Sequence, residues 1–265
     1  MPTTARTEFR SLHVDGCFVM PNPWDVGSAK LLQSLGFHAL ATTSAGHAAS
    51  LGKHDRHVTR DELVEHVTAL TAAVSLPFNV DSERLFADSI AGVVETVDLL
   101  AGAGAAGCSI EDYNPHTDAI DVVWLATERV GAAAEACRRH GIVLTARAEA
   151  HLHGSTDLDE TIARLQAFRD AGAEVVYAPG LTDLSQIAAL VKALGIAVNV
   201  LAMPNGPSVP ELASVGVRRV STGGALAWAA YGAMVRGATE LLQTGTSGYT
   251  RDNLPRANRA AFDFD

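Results

Sequence analysis

Residues 77–112 read PFNVDSERLFADSIAGVVETVDLLAGAGAAGCSIED, and their reading decides the fold. A short apolar run, Pro77-Phe78-Asn79-Val80, ends in Asp81-Ser82-Glu83. A helix-length stretch from Ala91 to Ala101 follows, closed by Gly102, and a second apolar run, Gly107 to Ile110, ends in Glu111-Asp112. Strand, crossover helix and strand form a parallel βαβ unit, and here both strands deliver carboxylates at their C-terminal ends.

The same alternation extends in both directions. Eight strands are predicted: Cys17 to Met20, Ala39 to Thr43, Phe78 to Asp81, Gly107 to Glu111, Val143 to Ala146, Val175 to Ala178, Ala197 to Leu201 and Arg219 to Ser221. Amphipathic runs separate them: Val26 to Leu35, Asp61 to Val74, Ala91 to Ala101, Val122 to Arg139, Asp159 to Ala171, Leu184 to Leu194, Val209 to Val215 and Ala225 to Thr244. Several are followed by a glycine suited to a left-handed helix end, among them Gly36, Gly102, Gly141, Gly172, Gly195 and Gly216. Eight βα units in 265 residues give a (β/α)₈ TIM barrel. One barrel domain over residues 1–244 is expected, with 245–265 as a tail that packs on a neighbour or stays mobile. A doubly wound sheet would carry a glycine-rich turn after its first strand, where this chain has Pro21-Asn22-Pro23-Trp24-Asp25.

Composition narrows the function. With 48% hydrophobic but only 6% aromatic residues, the core must be aliphatic, as buried parallel strands require. Thirty acidic against 20 basic residues give a net charge of -10, which argues against nucleic acid or an anionic membrane as partner. Three scattered cysteines, with no apolar run behind the N-terminus, point to a cytoplasmic protein. The histidines at 54, 57, 151 and 153 have no zinc-site spacing and are assigned to surface and loops.

Chemistry in such a barrel belongs at the C-terminal strand ends. Asp81 sits at one strand tip, Glu83 two residues on points to the same side if the chain stays extended, and Glu111 ends the next strand. Three oxygen ligands from adjacent strand ends suit Mg²⁺, or Mn²⁺; taken singly, each acid is equally explained as a helix cap. Arg147 ends the apolar run from Ile142, so its guanidinium needs Glu149 or a substrate carboxylate as partner. Asn199 lies on the seventh strand. His116 and Thr117 follow Glu111 in a polar loop able to close over the site, or are simply solvent-exposed.

The motifs Asn22-Pro-Trp-Asp-Val-Gly-Ser-Ala, Ala41-Thr-Thr-Ser-Ala-Gly, Asn79-Val-Asp-Ser-Glu, Ser109-Ile-Glu-Asp and Thr145-Ala-Arg-Ala-Glu, in this order, resemble the isocitrate lyase and phosphoenolpyruvate mutase superfamily. The resemblance runs from about Phe18 to Met234. It implies a barrel whose eighth helix is exchanged between subunits of a homodimer or homotetramer. It also implies Mg²⁺ near Asp81, Glu83 and Glu111, with Asp55 reached through water. Ser44, Ala45 and Gly46 would bind the substrate carboxylate, Trp24 would line the pocket, and Arg147 would hold the substrate or its enolate. The Lys-Lys-Cys-Gly-His loop of the isocitrate-type lyases is absent, as are the gating-loop Lys of the mutases and their His and Ser after strand six, where Pro179-Gly180 stand. The expectation is therefore a Mg²⁺-dependent carbon–carbon lyase or oxaloacetate-type decarboxylase acting on a small 2-oxo or 2-hydroxy carboxylate. A phosphonopyruvate hydrolase or phosphoenolpyruvate mutase, and a non-catalytic metabolite-binding barrel, are the alternatives.

Overall fold

The computed structural model describes residues 4–263. In chain order the elements are α1 (Thr4–Ser11), β1 (Phe18–Met20), α2 (Val26–Ser34), β2 (Leu40–Ala41), α3 (Ser44–Ser50), α4 (Arg60–Ala73), β3 (Phe78–Val80), α5 (Ile90–Gly102) and β4 (Gly107–Glu111). A two-strand hairpin follows, β5 (Tyr113–Asn114) and β6 (Ala119–Ile120), and then α6 (Val123–His140), β7 (Val143–Arg147), α7 (Leu158–Asp170), β8 (Val175–Tyr177), α8 (Leu184–Leu194), β9 (Ala197–Leu201), α9 (Val209–Ser214), β10 (Arg219–Ser221), α10 (Ala225–Thr244) and α11 (Arg256–Arg259).

Eight of the strands pair in parallel in the order β1-β10-β9-β8-β7-β4-β3-β2, which is the TIM barrel read from the sequence. The strip closes on itself at a thin seam. There the Ala41 amide donates to Pro21 O at 3.0 Å, and the Asn22 side chain donates to Thr42 O at 2.7 Å. Asn22 Oδ1 in turn accepts from the amides of Thr222 and Gly223, so one buried amide side chain ties three strand ends together.

Strand residues alternate between two environments. Val80, Cys108, Ile110, Leu144, Ala146, Val176, Val198 and Val220 join the core between barrel and helices. Their neighbours face inward, where Phe18, Ala39, Val143, Val175 and Ala197 cluster with Phe9 of α1. Phe9 lies against Gly107: an added Cβ there would sit 2.7 Å from its ring and 2.9 Å from Val143 O, so only glycine fits. Helix starts are set by short polar caps, with reciprocal capping boxes at Asp25/Ser28, Thr59/Glu62 and Ser208/Glu211.

Several details differ from the sequence reading. Helices α1 and α3, the hairpin and α11 were not expected, because none has an apolar period long enough to announce it. Gly102 is the last residue of α5, and the left-handed turn falls to Gly104 instead. Glu83 has φ +47°, so the chain does not stay extended past Asp81, and the two acids border different recesses. Residues 245–263 return over the barrel's outside: Glu240 of α10 accepts from the amides of Gly248 and Tyr249, and Ala260 and Ala261 border a recess with Lys30 and Gln33 of α2. Cys108 and Cys137 are buried free thiols with Sγ atoms 3.6 Å apart. No helix among the described residues is long and apolar enough to cross a membrane.

Candidate active site

The register β4 to β7 sets Glu111 beside Arg147 at the barrel's C-terminal end. From there Arg147 reaches three carboxylates: Nη1 to Asp81 Oδ1 at 2.8 Å, Nη2 to Glu111 Oε2 at 3.4 Å, and Nε to Glu149 Oε1 at 2.9 Å. Burial works against its charge, but Glu149, Glu111 and Asp81 together hold the guanidinium well above its ordinary value. Glu149 is fully buried and is fixed from behind, because its amide donates to Asp112 Oδ1 at 2.9 Å. Asp81 Oδ2 accepts the Ser44 amide at 2.9 Å, so this acid, at the end of β3, meets the first turn of α3, which follows the paired strand β2. The caps of α5 and α6 do not use these acids: Ser89 caps α5, and α6 has no side-chain cap.

The acids are short of positive charge. Burial, with the charges of Asp81 and Asp55, pushes Glu83 up to about 8. Burial also raises Glu111 well above the usual carboxylate range, against the pull of Arg147. Glu111 Oε1 and Glu149 Oε2 are buried without hydrogen bonds, although Arg56 Nη2 stands 3.3 Å from the former. Arg56 also lies over the Tyr113 ring, 3.9 Å from its centre. Among the described residues no three His, Cys, Asp or Glu side chains converge as a ready ligand cluster. Mg²⁺, which is usually held by one or two carboxylates with water completing its shell, still fits this donor set.

Below the rim lies a cavity of about 160 Å³. Asp81, Arg147, Ser44, Ala45 and Asn199 border it, as does Tyr177, whose phenol burial pushes up. Trp24 and Gly46 are one layer back, with the Trp24 Cβ 3.0 Å from where a Gly46 side chain would begin. Glu83 faces a neighbouring recess bordered by Arg56, Phe86 and His116. Asp55 is exposed in the loop before α4, and His116 and Thr117 are exposed at the tip of the β5–β6 hairpin. The sequence reading missed Arg56, Thr145, Tyr177 and Arg219. Arg219 had a weaker signal, a charged residue at the start of the short strand β10, behind a second arginine at 218.

Comparison with known proteins agrees with this geometry. Residues 9–242 match the family described as phosphoenolpyruvate phosphomutase. An uncharacterized protein of Mycobacterium tuberculosis is 34% identical over 81% of this chain and 81% of its own. An oxaloacetate decarboxylase of Paraburkholderia xenovorans is 31% identical over 86% of this chain and 77% of its own. Among solved structures, one from Burkholderia cenocepacia, provisionally described as a lyase/mutase, is 48% identical with a TM-score of 0.94, covering 98% of this chain and 97% of that one. A 2,3-dimethylmalate lyase superposes with a TM-score of 0.87 at 26% identity, covering 99% and 95%. The chain is thus an enzyme of the phosphoenolpyruvate phosphomutase family, within the isocitrate lyase superfamily.

Proposed function

We propose that the chain is a Mg²⁺-dependent carbon–carbon lyase or decarboxylase acting on a small 2-oxo or 2-hydroxy carboxylate through an enolate-like intermediate. The observation that carries this reading is Arg147, gripped by Asp81, Glu111 and Glu149 at the mouth of a polar cavity. The carboxylate oxygens of Glu111 and Glu149 that lack hydrogen bonds, and the raised Glu83, support a cation among Asp81, Glu83 and Glu111, with Asp55 as an outer acid. Such an ion would supply Lewis-acid polarisation of the 2-oxygen and its neighbouring carboxylate. Arg147 offers fixed positive charge where enolate oxygen charge grows, and Glu149 prevents it from turning away. The start of α3 would bind the substrate carboxylate with backbone and hydroxyl groups of Ser44 and Ala45, which border the cavity, while Gly46 and Trp24 stand one layer behind. His116 and Thr117 enter this scheme only if the hairpin closes. No observation favours phosphoryl chemistry, since Pro179 borders the cavity where a phosphoryl carrier would be needed.

The test is pyruvate release from oxaloacetate, and 2-oxo acid release from substituted malates, by purified protein with Mg²⁺ above the metal-only background. Asp81→Ala should abolish it. Phosphate release from phosphonopyruvate, or ligand binding with no turnover of any compound, would displace this reading. The apolar residues that α10 leaves exposed, including Trp228, Met234, Val235 and Leu242, support a homodimer or homotetramer in which this helix is shared.

A further inference from the structure

Arg219 is the one buried arginine that borders the cavity without a carboxylate among its partners in the described residues. It is 1% exposed and projects inward from β10. Nε donates to Asn199 Oδ1 at 2.9 Å, Nη2 donates to Thr145 Oγ1 at 2.9 Å, and Nη1 meets His13 Nε2 at 3.2 Å. All three are neutral acceptors, since burial pushes His13 down to about 3. The other buried arginines are answered differently: Arg84 by Asp121 and Asp88, and Arg129 by the backbone carbonyls of Arg84, Ala87 and Asp88. A guanidinium has five N–H donors, and three of these are engaged. Burial depresses this one to about 9, and no neighbouring carboxylate offsets it.

Its surroundings are built for the same purpose. The floor of the cavity is lined by Ser109, Thr145, Ser221, Asn79 and Asn199, hydroxyls and amides without a carboxylate. Asn79 is 4% exposed and its Oδ1 takes no donor. The rim, by contrast, collects Asp81, Glu111 and Glu149 around Arg147. The cavity is therefore polarised along the barrel axis, with a cation-binding mouth and a cationic floor.

We propose that Arg219 forms an anion subsite at the cavity floor, so that the substrate is a dicarboxylate bound end-on, its oxygenated end at the rim and its distal carboxylate directed at Arg219. This rests on the reading of the rim as the cation-assisted end. The subsite also separates the two reactions left open above. In cleavage of C2–C3 in a 2-hydroxy dicarboxylate, the hydroxyl proton passes to a rim carboxylate and C2 becomes the carbonyl carbon of the 2-oxo product. The bonding pair moves through C3 onto the distal carboxylate, and C3 then recovers a proton from that rim acid. In this route charge grows beside Arg219, which takes over the enolate-stabilising role that Arg147 has in decarboxylation, while Arg147 holds the end that becomes the 2-oxo product. In decarboxylation the distal group instead leaves as neutral CO₂, and its pair moves toward the 2-oxygen, so Arg219 would stabilise only the starting state. The subsite favours the lyase.

Calorimetric titration with Mg²⁺ present tests this with three probes: each enantiomer of malate, the same molecule with its 4-carboxylate as the amide, and oxalate, which engages the rim but is too short to span the cavity. In the unaltered protein the amide should bind about 10- to 100-fold more weakly than malate, the range for a lost charge-assisted hydrogen bond. Arg219→Gln should weaken malate by the same factor, no longer distinguish malate from the amide, and leave oxalate within about threefold. Equal binding of malate and amide by the unaltered protein, or an equal loss of oxalate and malate in Arg219→Gln, overturns the subsite while retained oxalate binding leaves the rim reading standing. Failure of the unaltered protein to bind even oxalate removes the rim reading and the subsite with it. Should Arg219→Gln not fold, the malate and amide comparison in the unaltered protein decides alone.

Discussion

Arg147 is held by three acids, and the cost of losing it follows from what it would leave behind. Arg147→Met strands the buried Glu111 and Glu149 beside the half-buried Asp81 as like charges, so it should destabilise the protein by about 3 kcal/mol or more in addition to abolishing turnover. Urea midpoints measure the first effect, and an unchanged midpoint would show that the acids do not depend on this partner. Glu83 allows a pH prediction. Its folded value of about 8 lies above its ordinary 4.5, so between these limits the folded chain keeps a proton that the unfolded chain loses. Stability from this group is therefore present below pH 4.5 and is lost as pH rises to about 8. The half-buried His13 and His66, both depressed to about 3, act in the opposite sense, but only below their ordinary 6.5. Metal-free midpoints should consequently fall between about pH 7 and 8, and Glu83→Gln should flatten that fall; parallel slopes in the two proteins would contradict the assignment. Asp81, Glu111 and Arg147 were legible in the sequence because charged residues closing apolar strands have few structural explanations. Arg56 was not, since a left-handed residue at φ +64° in a polar loop carries no periodic signal.

The loop between β3 and α5 shows how an element can be shaped against its own backbone preferences. Glu83, Leu85 and Phe86 all have positive φ, at 47°, 60° and 52°, and none is glycine. Each costs on the order of 1 kcal/mol and persists only if its surroundings impose it. Arg129 of α6 imposes it, donating to the carbonyls of Arg84, Ala87 and Asp88, while Thr96 Oγ1 donates to Leu85 O and Arg84 pairs with Asp121. The loop then returns Glu83 O to the Glu111 amide at 3.0 Å, which ties the two acidic strand ends together. Arg129→Lys keeps the charge but not the fork. It should cost about 2 kcal/mol and, on the proposed metal reading, weaken Mg²⁺ binding by about tenfold. Metal titration monitored by activity and by calorimetry checks this, and an unaltered metal affinity would remove Arg129 from the positioning of Glu83. No sequence pattern announces such a loop, because its Arg84 carbonyl and the restraining Arg129 lie 45 residues apart. Helix α3 was hidden for a simpler reason: Ser44-Ala-Gly-His-Ala-Ala-Ser50 offers no apolar face to count.

At the scale of the molecule, α10 is anomalous. Seven βα units bury their helices against the barrel, but in this 20-residue helix only Ala227 and Gly237 are buried, while Trp228 is 55% and Leu242 88% exposed. The chain should therefore elute as a dimer or larger, and the double substitution Trp228→Glu, Leu242→Asp should shift it toward monomer in light scattering; a monomeric unaltered protein would remove the shared-helix proposal. The barrel itself was readable because strand and helix periods repeat eight times, and repetition outweighs errors at single boundaries. Its closure was not readable, since Asn22 and Ala41 make the seam through one side chain and one backbone bond. Every other pair of neighbouring strands shares a ladder, whereas β1 and β2 meet across those two bonds. Native-state hydrogen exchange should accordingly find the Ala41 amide opening at a lower free energy than the amides of β4 and β7. The wall would then part there, beside Ser44 and Asp81, without unfolding the remaining strands, and the seam would be the barrel's weakest line under mechanical or thermal load.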